Sequence, residues 1–240
     1  MRYLVLSDIH SNLAALEAVL AEAGEVDQVW CLGDLVGYGP DPNECVERIR
    51  SLPHLCVVGN HDWGTLGKLD LNDFNAYARR ACLWNREQLS AENKEYLDSL
   101  DELIVEGDFT LVHGSPRSPI WEYVMSPDEA AHSFAFFDTP YCFVGHTHVP
   151  GMFVEGSASC QAVPVQEDRP VPLGRERMII NPGGVGQPRD GDPRAAYLIL
   201  DTDSMVIVHH RVEYPIEVTQ EKMRKAGLPG RLIDRLDYGW

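Results

Sequence analysis

Short apolar runs alternate with stretches of helical periodicity through the first hundred residues. Residues 2–7 are almost continuously apolar and predict a buried strand. Leu13, Leu16 and Leu20 recur on one face and predict a helix over 12–23, opened by Ser11 or Asn12 as its cap and ended at Gly24. A strand near 26–31, a helix near 42–51 with Pro42 in its opening turn, and a strand near 54–58 continue the alternation. Helices over 72–88 and 91–99 follow. Past residue 101 the pattern changes. Segments 101–106, 109–113, 140–144, 152–155, 159–163, 177–180, 195–201 and 204–211 predict strands, with one helix near 127–137. Helical residues 216–225 and a short turn near 231–236 follow them. Strand–helix alternation followed by mostly strands predicts an α/β fold of two sheets packed together with helices outside. The stretch 164–176 is rich in Pro and Gly and reads as a loop. With no repeat and no linker, residues 1–240 are expected to form a single domain.

Polar residues punctuate this pattern at particular places. Asp8, Asp34, Asn60, His113 and His146 each lie just past the end of an apolar strand. In an α/β sheet, ligands gather outside the carboxyl ends of the strands, so five strand ends are expected to converge on one crevice. Asp8 and His10 are two residues apart, as are His146 and His148, and extended backbone would turn each pair to one side. The blocks are Asp8-Ile9-His10, Gly33-Asp34, Gly59-Asn60-His61-Asp62, His113-Gly114 and Gly145-His146-Thr147-His148. Together they offer seven oxygen or nitrogen donors and one spare imidazole. Carboxylates, an amide and imidazoles suit a hard-to-borderline divalent metal, and seven donors suit two such ions. Two metals about 3.5–4 Å apart form a clamp for in-line displacement at phosphorus. Gly33 and Gly37, on either side of Asp34, would let the backbone approach closely.

Composition narrows the setting. A hydrophobic fraction of 44% with 24% charged residues is globular. No stretch approaches the roughly 18 uninterrupted apolar residues of a spanning helix. The opening residues read as a strand and not as a signal peptide. The cysteines, Cys31, Cys45, Cys56, Cys82, Cys142 and Cys160, include no Cys-x-x-Cys pair, so reduced, buried thiols in a cytoplasmic protein are expected. The net charge of −17, from 37 acidic and 20 basic residues, repels phosphate backbones and anionic membranes. Bulk nucleic acid and membrane are therefore disfavoured as partners. A small anionic substrate remains open, because bound divalent cations reverse the field locally.

The blocks, in their order, resemble the calcineurin-like metallophosphoesterase family, in its small single-domain prokaryotic branch. The resemblance runs from Asp8 to His148 and on through Asn181-Pro182-Gly183-Gly184, where Gly184 stands in place of a serine common in that branch. It implies a four-layer α/β/β/α sandwich of two mixed sheets. It also implies one metal held by Asp8, His10, Asp34 and His148, and a second by Asp34, Asn60, His113 and His146, with Asp34 as the bridge. A metal-activated water would attack phosphorus, and His61, the spare histidine, would donate a proton to the leaving alkoxide or stabilise transition-state charge. Asp62 could orient His61. Manganese is the metal the family favours, with Fe, Zn, Ni, Co and Mg as alternatives. Gly33-Asp34 continues as Leu35-Val36-Gly37 without the Asp-Arg-Gly of serine/threonine protein phosphatases, and Asp62 stands where those enzymes carry Glu. Both departures argue against a dedicated protein phosphatase.

The expected function is hydrolysis of phosphate mono- or diesters of a small molecule. Dinucleoside polyphosphate or nucleotide pyrophosphate cleavage is the alternative, and a non-catalytic metal-binding scaffold is the alternative of another class. Substrate contacts are weakly marked. The segment 114–125 offers Arg117, Trp121 and Tyr123, and Arg189 and Arg194 are rival cations. None of these enters the expected site. His54, His132, His209 and His210 lie outside the blocks and read as surface or packed residues.

Overall fold

The computed structural model describes all 240 residues. In chain order the elements are β1 (Arg2–Leu6), α1 (Leu13–Ala23), β2 (Gln28–Cys31), α2 (Pro42–Arg50), β3 (His54–Cys56), α3 (Asn60–Leu66), α4 (Ala76–Gln88), α5 (Ala91–Asp98), β4 (Leu103–Glu106) and β5 (Phe109–Val112). Then come α6 (Pro127–Ser133), β6 (Tyr141–Phe143), β7 (Gly151–Val154), β8 (Gln161–Ala162), β9 (Val171–Pro172), β10 (Met178–Asn181), β11 (Ala195–Asp201), β12 (Val206–Val212), α7 (Ile216–Lys225) and α8 (Gly230–Asp234). They form two six-stranded sheets, ordered β3-β2-β1-β11-β12-β9 and β4-β5-β6-β10-β7-β8. Both are mixed: β1, β2 and β3 run parallel, β11 runs against them and β12 runs against β11, and β5, β6 and β10 run parallel between antiparallel β4 and β7.

Alternation within each strand decides which side chain meets which layer. Tyr3 and Val5 of β1, Trp30 of β2, Phe109 and Leu111 of β5, Tyr141 and Phe143 of β6, and Leu198 and Leu200 of β11 share one core between the sheets. Trp30 is its hub, with its ring 4.4 Å from Tyr3, 5.3 Å from Phe109 and 6.0 Å from Phe143. The intervening residues Leu4, Leu6, Val29 and Cys31 face outward into a second core with α1 and α2. Cys142, Val144 and Ile179 of the other sheet face outward to Phe134 and Phe137, beyond α6. Because both faces are covered, these strands read as continuous apolar runs. The layers are α/β/β/α.

Several predicted elements shift. The cap of α1 is Asn12, whose side chain accepts from the Ala15 N–H. Helix 72–88 divides into a 3-10 turn, Leu71–Asp73, and α4, because Asn75 caps a fresh start by accepting from Tyr77 and Ala78. Helix α3 went unpredicted, and the 164–176 loop contains the two-residue strand β9, paired to β12. The turn near 231–236 is α8 with a following 3-10 turn. Together with α7 it packs Met223, Leu232 and Leu236 against Tyr38 and Ala78, beside the crevice described next. No helix is long and apolar enough to cross a membrane. All six cysteines are free thiols, and all but Cys160 are buried.

Candidate metal centre

The ends of β1, β2, β3, β5 and β6 open onto one crevice, and the backbone there curls. Asp8 and His10 have φ of 57° and 48°, Asp34 has 54°, and His146 and His148 have 64° and 59°. Left-handed backbone costs a residue other than glycine about 1–2 kcal/mol, and such strain gathers at functional sites. Extended spacing was expected to bring Asp8 beside His10. They do meet, but through a left-handed curl and not through a straight strand. Hydrogen bonds to neighbouring strand ends hold that curl: Asp8 N–H to the Gly33 carbonyl (3.1 Å), His10 N–H to Asp34 (2.9 Å) and Gly186 N–H to Asp8 (2.9 Å). Gly33, at φ 88°, passes so close to the next loop that a Cβ would lie 2.7 Å from Gly59 N. At Gly37, φ 101°, one would lie 2.5 Å from His61 Nδ1.

All seven expected donors and His61 come together, each nearly inaccessible to solvent. Asp34 is central. Its Oδ1 accepts from the His61 backbone N–H at 2.8 Å, while Oδ2 lies 3.6 Å from His10 Nε2 and 3.4 Å from His113 Nε2. Asp8 Oδ2 accepts from His146 N–H, and its Oδ1 lies 3.3 Å from His148 Nε2 and 3.8 Å from His10 Nε2. Both inward oxygens, Asp8 Oδ1 and Asp34 Oδ2, are buried without a hydrogen-bond partner. Asn60 Oδ1 is 3.2 Å from His113 Nε2.

The imidazoles show what this arrangement needs. His10 Nδ1 faces the Val36 carbonyl (3.2 Å), His113 Nδ1 that of Leu32 (2.7 Å), His148 Nδ1 that of Gln187 (2.6 Å) and His146 Nε2 that of Trp121 (3.2 Å). A carbonyl oxygen only accepts, so each of these nitrogens carries its ring's proton and the other nitrogen presents a lone pair. Those lone pairs point at one another: His10 Nε2 is 3.1 Å from His148 Nε2, and His113 Nε2 is 3.1 Å from His146 Nδ1. Opposed lone pairs around unpartnered carboxylate oxygens repel unless a cation lies among them. The carbonyl partners are the outer-shell contacts that fix a metal-bound imidazole. Asp8, His10 and His148 form one candidate triad, Asp34, His113 and His146 another, and Asp34 also groups with His10 and His61. The residues fit divalent metal ions.

Protonation equilibria express the same demand. Burial lowers His10, His146 and His148 well below the ordinary histidine value. Burial also opposes charge on His113, yet the Asp34 carboxylate, with Asp8, outweighs it and raises His113 to about 9, so that in metal-free protein a proton on Nε2 takes the cation's place between Asp34 and His146. Burial works to raise Asp34 too, but the surrounding imidazoles, His113 first, hold it far below the carboxylate range. Burial, reinforced by the Asp34 charge, raises Asp8.

Supporting groups complete the crevice. Asp62 does not reach His61 with its carboxylate. Its oxygens accept instead from the backbone N–H groups of Asp34 (2.9 Å), Val36 (3.1 Å) and Gly59 (2.9 Å), tying two strand-end loops together. The Asn181 side chain donates to the Gly145 carbonyl (2.8 Å) and Thr147 Oγ1 (3.0 Å), bracing the turn that carries His146 and His148. A Cβ at Gly184 would lie 3.0 Å from that of His148. His61 Nδ1 is 3.4 Å from Cys82 Sγ. Burial pushes the Cys82 thiol up to about 12, so it remains S–H. Tyr123 stacks on His146 with centroids 4.1 Å apart. None of these contacts is legible in spacing alone.

A cavity of about 110 Å³ lies over the donors, walled by Tyr38, Phe74, Trp121, Tyr123 and Arg189. Of the rival arginines, only Arg189 lines it. Arg117 pairs with Glu122, and Arg194 pairs with Glu167 and Asp192. The remaining histidines lie elsewhere: His54 beside Tyr96 Oη, His209 donating to the Asn181 carbonyl, His210 beside Asp168, and His132 exposed on α6.

Comparison with known proteins agrees with this geometry. A model of the calcineurin-like phosphoesterase superfamily domain matches residues 1–205. The chain is 44% identical over 245 residues to an uncharacterised protein of Methanocaldococcus jannaschii, covering 98% of this chain and 97% of that one. It superposes on a metallophosphoesterase from Sphaerobacter thermophilus with a TM-score of 0.91 at 52% identity, covering 100% and 99% of the two chains. A shorter match, 43% identity over 65 residues, is to a symmetrical bis(5'-nucleosyl)-tetraphosphatase of Pectobacterium carotovorum, covering 25% of this chain and 23% of that one. The chain therefore belongs to the calcineurin-like phosphoesterase superfamily.

Proposed function

We propose that this phosphoric ester hydrolase acts on a small phosphorylated molecule through two divalent cations. Asp8, His10, Asp34 and His148 would hold one, and Asp34, Asn60, His113 and His146 the other. The observation that carries the reading is the pair of opposed imidazole lone pairs flanking Asp34 Oδ2. When bound, divalent cations supply the positive charge that polarises the phosphoryl group and acidifies a nucleophilic water. Manganese is the first metal to try, since mixed oxygen and imidazole donors accept several first-row ions.

The chain's own groups have separable tasks in this reading. The carbonyls of Val36, Leu32, Gln187 and Trp121 keep each imidazole in its donating tautomer. The Cys82 thiol, donating to His61 Nδ1, leaves the His61 proton on Nε2, where it can hydrogen-bond the leaving oxygen and stabilise the charge developing there. Arg189 offers a guanidinium to a phosphoryl oxygen. Phe74 and Trp121, edge-to-face at 5.0 Å, wall the leaving-group side. Residues 1–240 would act as one domain, since α7 and α8 pack onto Tyr38 at the crevice. Its thiols suit the cytoplasm.

Within the same chemistry, a dinucleoside polyphosphate is a second substrate reading, supported by the local match to the symmetrical tetraphosphatase. A non-catalytic scaffold is disfavoured because every donor and His61 are present and aimed inward. The test is hydrolysis of p-nitrophenyl phosphate and bis-p-nitrophenyl phosphate by metal-stripped protein, with Mn²⁺, Mg²⁺, Zn²⁺, Ni²⁺ and Co²⁺ restored in turn. Turnover that returns with metal and is lost in His61→Ala supports catalysis. Two bound ions without turnover on any ester would favour the scaffold.

A further inference from the structure

Beside the crevice lies a second, larger cavity of about 700 Å³, and Asn75 lines both. Its walls are Tyr77 of α4 and, from the last ten residues, Arg231, Arg235, Tyr238 and Trp240. Tyr238 and Trp240 are 62% and 70% exposed, with ring centroids 6.4 Å apart. Arg231 lies 5.7 Å over the exposed Tyr77 ring. Flat rings left in solvent beside guanidinium groups are unusual on a chain of net charge −17.

The cations run back toward the crevice. Arg235 donates to the Trp240 carbonyl. Burial first, and then the positive field of Arg189, lower Arg235 to about 10. Arg189 lies 5.7 Å from the Tyr38 ring, donates to Tyr38 Oη and Gln187 Oε1, and keeps a buried, unpartnered Nε. Unlike Arg194, which is clasped by Glu167 and Asp192, none of these three arginines has an Asp or Glu side-chain oxygen within 4.0 Å. Asp234 also lines the cavity without pairing to them. Spaced guanidinium groups suit a run of phosphates, and exposed aromatic faces suit nucleobases.

We propose that this second cavity is a distal subsite for the far nucleoside of a dinucleoside polyphosphate. Its phosphate chain would run along Arg189 and Arg235 from the crevice, and its far base would stack on Tyr238 or Trp240. The proposal rests on the hydrolase reading of the crevice. There, water oxygen bonds to phosphorus, the bridging P–O bond breaks with its electron pair on the departing nucleotide, and the water protons pass to the products and solvent.

The experiment compares kcat/KM for diadenosine tetraphosphate and for p-nitrophenyl phosphate, in the same metal, for wild type, Tyr238→Ala, Trp240→Ala and Arg231→Gln. All three positions are exposed, and none lines the cavity over the donors. The expected result is a fall of about 5- to 100-fold on the dinucleotide, carried by KM, with the p-nitrophenyl ester unaffected. Unchanged dinucleotide kinetics, or an equal fall on both substrates, would overturn the subsite. Calorimetric titration of the metal-loaded proteins with diadenosine tetraphosphate separates the two layers. Binding that weakens in the variants supports the subsite even where no ester is turned over, a result that would sink only the hydrolase reading. No binding, with the p-nitrophenyl ester still cleaved, overturns the subsite alone.

Discussion

Asp62→Asn is the sharpest probe of how the crevice is held together. The carboxylate is wholly buried and accepts three backbone N–H groups, from Asp34, Val36 and Gly59. An amide of the same shape can keep its oxygen toward two of them, but its NH₂ must then face the third donor. One hydrogen bond to a charged group, worth about 1.5–3 kcal/mol, is lost and a buried donor is left unsatisfied. The two retained bonds lose charge assistance and roughly half their strength. Against this, burial and the nearby Asp34 charge disfavour ionised Asp62 and raise its pKa, so neutralising it returns part of the cost. The net expectation is about 2 kcal/mol of lost stability in metal-free protein, or roughly 4–8 °C in Tm for a chain of this size. Metal affinity should fall about 10- to 100-fold as the Asp34 loop loosens. Calorimetric melting and metal titration read the two effects. A variant with wild-type melting and wild-type metal binding, but with turnover reduced as in His61→Ala, would refute this account. It would restore Asp62 to the role of orienting His61.

Four further outcomes follow from the same contacts. Asp34→Asn should weaken both metal equivalents together in a titration, and loss of one alone would count against its bridging place. His61→Ala should retain two equivalents by elemental analysis while kcat falls about 10²- to 10⁴-fold; loss of metal would mark His61 as a ligand. Asn181→Ala frees the Gly145–Thr147 turn and should cost about 10- to 100-fold in metal affinity, and an unaffected titration would dismiss the brace. His209 is neutral in the native state, with burial lowering it to about 4. Between about pH 6.5 and 4 the unfolded chain therefore binds a proton that the native one refuses, and stability falls with pH by up to about 3 kcal/mol. His209→Gln keeps a donor for the Asn181 carbonyl, so its urea stability in metal-free protein should change less steeply across that window, and parallel curves would reject the assignment.

The sequence was most transparent where one physical rule dominated. Continuous apolar runs located β1, β2, β5, β6, β10 and β11 because both faces of each are buried, and the donors were legible because each follows such a run. Helix α3 was missed because Asn60, His61 and Asp62 fill its first turn and Gly64 sits within its seven residues, leaving no apolar period. Strand β9 is two residues long and carries Pro172, so propensity argued for a loop. The curl at Asp8, His10, His146 and His148 has no signature in residue type, since it is imposed by hydrogen bonds from loops far away in sequence. Arg117, Arg189 and Arg194 were equivalent as letters. Only folding set two of them against carboxylates and left Arg189 at the crevice.

The donors also show why two sheets are needed. Asp8, His10, Asp34 and Asn60 follow strands of the first sheet, while His113, His146 and His148 follow strands of the second. The Asp8–His10–His148 and Asp34–His113–His146 triads each mix the two sources, and only the group of His10, Asp34 and His61 comes from the first sheet alone. The separation of the sheets is fixed by the aromatic layer beneath the donors, where Trp30 of one sheet packs on Phe109 and Phe143 of the other. It is fixed again at the crevice, by His113 Nδ1–H donating to Leu32 and by His146 N–H donating to Asp8. Misplacement by about 1 Å is enough to cost two orders of magnitude in a preorganised site. A strained, curled backbone at five donors is tolerable under that constraint, because the core and the cross-sheet hydrogen bonds already determine where each side chain must end. The spacing of the two sheets is in this sense part of the active centre, and the residues that set it lie one layer below any that could touch the substrate.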